Sequence, residues 1–61
     1  MRVYYADKID DESSHIDSET FEARNDEAAK QTASSICRDK GWDSAEVWDK
    51  DADMFIAEVR A

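Results

Sequence analysis

Asn25 and Gly41 bracket one helix-like stretch, and Gly41 is the only glycine in a chain that has no proline. Asn25 suits an N-cap because its side chain can accept a backbone N–H. Asp26 and Glu27 follow at the positive end of the helix dipole, while Arg38 and Lys40 stand at the negative end. Gly41 then falls where a left-handed residue ends a helix. The spacing predicts a helix over residues 26–40, with a buried stripe of Ala29, Thr32 or Ala33, Ile36 and Cys37. Side chains that small let a helix lie close against a sheet.

Elsewhere the apolar residues alternate with period two, the pattern of half-buried strands. Residues 1–6 read as a strand with Val3 and Tyr5 on the inner face and Arg2 and Tyr4 on the outer. Residues 18–24 give Glu19, Phe21 and Ala23 against Thr20, Glu22 and Arg24, with Phe21 inward. Residues 44–49 and 53–60 form two further strands around a hairpin at Lys50-Asp51-Ala52, with Phe55, Ala57 and Val59 inward on the second. Residues 7–17 are polar and aperiodic, a flexible acidic loop or a wide hairpin tip. One 61-residue α+β domain follows, in the order β-β-α-β-β: a small, mainly antiparallel sheet with one helix on one face.

A single helix leaves the other sheet face open to water. The phasing above places Tyr4, Trp48, Met54 and Ile56 there among charged residues, with Tyr4 and Trp48 as interface anchors. The plainer alternatives are a one-residue error in phase, which would turn the same side chains into the core, or a second small cluster under a loop.

Charge is distributed unevenly. Residues 7–19 hold Asp7, Asp10, Asp11, Glu12, Asp17 and Glu19 against Lys8 alone, and residues 43–53 hold Asp43, Glu46, Asp49, Asp51 and Asp53 against Lys50 alone. The rest of the chain is slightly basic, so the net charge of −8 comes from these two blocks. Acidity serving only hydration in high salt would be spread more evenly. Two acidic blocks on a near-neutral scaffold fit a basic protein partner and repel nucleic acid itself.

Enzymatic chemistry finds little to work with. The D-x-D-x-D run from Asp49 to Asp53 opens like a calcium loop, but Met54 stands where such a loop needs glycine and Arg60 where it needs the bidentate glutamate. A solvated acidic turn accounts for it. His15 and Cys37 are alone of their kinds, one in the polar loop and one on the inner helical face, which excludes a disulfide framework and disfavours a Cys/His nucleophile. Paired carboxylates such as Asp10-Asp11 lack the apolar pocket that would raise one pKa. A chain this short has little room for a small-molecule cavity. We expect no enzyme, cofactor or metal. With no membrane-length apolar run or signal-peptide pattern, a cytoplasmic protein is expected, as a monomer or weak homodimer.

In its two acidic blocks, its short length and its strand-to-helix junction Phe21-Glu22-Ala23-Arg24-Asn25-Asp26-Glu27-Ala28, the chain resembles the small acidic inhibitors encoded by phages, anti-CRISPR proteins and other DNA mimics. That resemblance implies a host-cell setting and a basic nucleic-acid-binding target, such as a CRISPR effector subunit, blocked by charge mimicry. The residues expected to meet such a partner are Asp10, Asp11, Glu12, Asp17, Glu19, Glu46, Asp49, Asp51, Asp53, Tyr4 and Trp48. The alternative is a non-inhibitory interaction module that uses Trp48, Ile56 and Tyr4 on the open face.

Overall fold

The computed structural model describes residues 1–9 and 17–61, so Asp10, Asp11, Glu12 and His15 lie outside the described residues. Four strands and one helix follow in the expected order: β1 (Arg2–Lys8), β2 (Ser18–Ala23), α1 (Asp26–Lys40), β3 (Ser44–Asp49) and β4 (Met54–Arg60). They form one sheet in the spatial order β2-β1-β3-β4, antiparallel at every pairing. The fold is α+β. Because β2 and β3 both run antiparallel to the β1 between them, α1 links two parallel strands across the sheet's helix-covered face.

The helix forms where its local signals place it. Asn25 is extended (φ −161°, ψ 176°), and its side chain accepts the Ala28 N–H at 2.8 Å. At the other end Gly41 takes φ 75°, ψ 24°, which turns the chain so that the Trp42 N–H reaches the Cys37 carbonyl at 2.8 Å. This six-to-one bond closes the helix as a Schellman motif and delivers the Trp42 ring into the core. Ala29, Ala33 and Cys37 are the buried helical residues. They pack with Tyr4, Ala6, Ala23, Trp42, Ala45, Val47 and Val59 in one cluster.

Two strand readings are corrected. The first strand extends through Asp7 and Lys8, residues expected in the loop, and its phase is the reverse of that expected. Tyr4 and Ala6 are fully buried beneath the helix, so Val3, Tyr5 and Asp7 project from the opposite face. Tyr4 is held inside by more than its ring, since its hydroxyl donates to Asp26 Oδ1 at 2.8 Å. In the last strand, Val47 pairs with Ala57 but Trp48 pairs with Phe55, a β-bulge that leaves Ile56 as the extra residue. The bulge inverts the facing of what lies beyond it: Phe55, expected inward, is half exposed beside Trp48, and Ile56, expected outward, packs against the core.

The β3–β4 connection spans residues 50–53, one residue longer than expected. Asp53 adopts φ 54°, a left-handed conformation that aspartate tolerates better than most side chains. Asp49 organises this turn, with Oδ1 accepting the N–H groups of Asp51 at 3.0 Å and Ala52 at 3.1 Å.

Candidate protein-docking face

Strand register sorts the sheet face opposite α1, which no other described element covers, into rows. Tyr5 lies opposite Trp48, and Trp48 opposite Phe55, so three aromatic residues run side by side across β1, β3 and β4. The Tyr5 and Trp48 rings are parallel to within 2°, centroids 6.3 Å apart, and Phe55 meets Trp48 edge-on at 5.6 Å. One row further along the same strands, Asp7 lies opposite Glu46 and Glu46 opposite Glu58. A row of three acids therefore flanks a row of three aromatics, about 6.6–6.8 Å away along the strands.

The bulge makes this alignment possible. In a regular ladder continuing from the Val47–Ala57 pair, Trp48 would face Ile56 and Phe55 would point at the helix. The extra residue carries Phe55 into the aromatic row.

Carboxylates placed directly opposite one another in a sheet repel and destabilise it. Burial pushes the Asp7 carboxyl above the usual carboxylate range, and the neighbouring Glu46 adds to the rise. Glu46 is anchored by its own strand, because Trp48 Nε1–H donates to Glu46 Oε1 at 3.3 Å and fixes one carboxylate oxygen against the indole. Tyr5 sits in the same negative field: burial raises its phenol first, with further contributions from Asp7, Asp53 and Glu46. Among the described residues, the strand positions of the open face carry Asp7, Glu22, Glu46 and Glu58 against Arg60 alone.

Among the described residues, the two acidic blocks meet only in part. Asp7 and Glu46, one from each, are neighbours on the two central strands, towards the end of the sheet where Asp17 and Asp43 also lie, as Lys8 N–H bonds Asp17 O and Ala61 N–H bonds Asp43 O. Asp51 and Asp53 are exposed at the opposite end, near the start of β1, where Lys50 N–H bonds Val3 O. Glu19 belongs to the helix-side face and lies 3.5 Å from Lys40, so its charge is locally balanced.

Two expected contact residues are not available to a partner. Tyr4 is fully buried and Asp49 is only 4% exposed. Asp49 points to the helix side, where it caps the turn and lies 3.7 Å from Arg2 Nη2. Its role is to fold the hairpin. Trp48 and Glu46 do stand on the open face, and Tyr5, Phe55, Asp7 and Glu58 join them. Extending the first strand by two residues puts Asp7 in phase with Tyr5 and Val3, but Arg2 and Lys8 place charges on the opposite series as well, so only the strand pairing identifies the outward side.

Among the described residues, no three His, Cys, Asp or Glu side chains are placed to share a metal ion. Cys37 is buried, and burial pushes its thiol up, so the thiol stays protonated at neutral pH. No described helix is long and apolar enough to cross a membrane. Comparison with protein-family models, curated proteins and solved structures finds no match to the chain.

Proposed function

We propose that this protein is an acidic interaction module that occupies a basic, nucleic-acid-binding surface of a partner protein and inhibits it by excluding the nucleic acid. The observation that carries the reading is the aromatic row beside the acid row on the sheet face opposite the helix. Charge alone gives a salt-sensitive, weakly selective encounter, and desolvated aromatics supply the anchor that it lacks. An aromatic row on an open sheet is also how some proteins stack single-stranded bases. Here the adjoining carboxylates repel a phosphate backbone, which leaves a cationic protein surface as the occupant.

The resemblance to anti-CRISPR inhibitors makes a CRISPR effector subunit the first partner to assay. The exposed Phe55 also suits the other reading, a docking module that inhibits nothing, since it would use the same aromatic row. The test is capture of host-cell proteins on immobilised protein at low and high salt, followed by elution with double-stranded DNA. Capture of nucleic-acid-binding proteins that salt weakens and DNA releases supports the inhibitor. Stable complexes that neither salt nor DNA disturbs, but that Phe55→Ser abolishes, support the non-inhibitory module and overturn the mimic.

A further inference from the structure

The two parallel rows have a geometry more specific than a generally acidic surface, and they distinguish between the two cations a protein partner can offer. We infer that the open face receives arginine side chains of the partner, with guanidinium planes against the Tyr5–Trp48–Phe55 row and their N–H groups directed to the carboxylates of Asp7, Glu46 and Glu58. This inference rests on the reading of the face as a dock for a basic protein and names the side chain it selects.

Three observations support arginine over lysine. First, Tyr5 and Trp48 are parallel cross-strand neighbours, so together they offer a broad aromatic surface. A flat, weakly hydrated guanidinium stacks on such a surface, whereas a compact ammonium keeps its water. Second, the acids stand one row away, within reach of the edge of a guanidinium lying on the rings. A carboxylate accepts two parallel N–H bonds from that edge, and an ammonium has no matching fork. Third, the Trp48 Nε1–H holds Glu46 Oε1, which fixes one carboxylate of the row before any partner arrives. Asp7 is itself already half buried, so less water remains to be stripped from it.

Charge complementarity also excludes the other occupants. A second copy of the chain would set one acid row against another, and a nucleic acid would bring phosphates to it. Each of the three acids lies directly opposite another acid, a repulsion within the free protein that incoming cations relieve.

The experiment uses the full chain labelled with ¹⁵N and titrated with nona-arginine, nona-lysine and an oligouridylate at one salt concentration. The Trp48 indole N–H signal and the amides of Tyr5, Asp7 and Glu46 report the site. The expected result is binding of nona-arginine about five-fold tighter than nona-lysine, with shifts confined to this face. Trp48→Leu and the surface variant Phe55→Ser should each reduce that ratio towards one. Asp7→Asn, which relieves repulsion and leaves the fold intact, should weaken nona-arginine binding at least three-fold, about the effect of one charge-assisted contact at an exposed site. Equal affinity for the two peptides at this face overturns the preference for arginine and leaves the basic-partner reading standing. Binding of neither peptide overturns both. Stronger response to oligouridylate, or shifts with protein concentration alone, assigns the face to RNA or to a second copy and overturns the inference.

Discussion

Asp7 and Glu46 stand directly opposite each other in the β1–β3 ladder, two carboxylates in the interior of the sheet where a regular antiparallel pair would gain from opposite charges. Burial raises the Asp7 pKa more than Glu46 does, so the folded state holds the Asp7 proton more tightly than the unfolded chain. A group whose pKa is raised on folding favours the fold when protonated. Its contribution is complete below the unfolded value and is lost as pH rises through the folded one.

Asp7→Asn therefore stabilises the protein at neutral pH, by about 0.5–1 kcal/mol. Urea unfolding of the variant and the parent at pH 7 and at pH 3 checks this, with a gain at pH 7 that shrinks at pH 3. An equal gain at both would mean that the charge of the ionised Asp7 carboxylate is not the cause.

Asp49→Ala removes the acceptor for two turn N–H groups and the partner of Arg2, and should cost about 2 kcal/mol. Asp49→Asn keeps one acceptor oxygen and should cost about half as much. Thermal unfolding of the two variants compares them, and equal losses would show that the ion pair with Arg2 carries the effect.

Tyr4→Phe deletes the hydroxyl that donates to Asp26 and leaves the ring in place, for a loss of about 1 kcal/mol. Because Tyr4 is beneath the helix, binding at the open face should be unchanged. A variant of normal stability that no longer binds would overturn the assignment of Tyr4 to the core.

Gly41→Ala should cost about 1 kcal/mol through backbone strain alone, because the added Cβ meets nothing within 4 Å at φ 75°. Gly41→Asn should recover part of it. If alanine proves neutral in chemical denaturation, the left-handed cap is not maintained in solution.

What could be read from the sequence divides along the range of the interactions. Asn25, Gly41 and the charges between them act within a turn or two, and they place α1 correctly at both ends. The inward series Glu19, Phe21 and Ala23 in β2 is equally plain, because the alternate residues Thr20 and Glu22 are polar. In β1 both series are apolar, Val3 and Tyr5 against Tyr4 and Ala6, so alternation alone leaves the buried side undecided. The outcome depends on which ring fits under α1 and reaches Asp26. The bulge at Ile56 depends on pairing with β3 and has no signature in the residues of β4 alone. Asp49 illustrates a third limit: the D-x-D-x-D run reads as charge, yet its first member is a buried turn-former. The site was visible as Glu46 and Trp48, whereas Tyr5, Phe55 and the acid row required register.

The bulge in β4 makes the open face of the sheet editable by one codon. Losing or gaining a residue beside Ile56 swaps which hydrophobic side chains of the hairpin meet solvent, while β1, β2 and the helix keep their sequence and seating. A lineage pressed to change partners could explore new surfaces through in-frame insertions and deletions at this point, without first redesigning the interior.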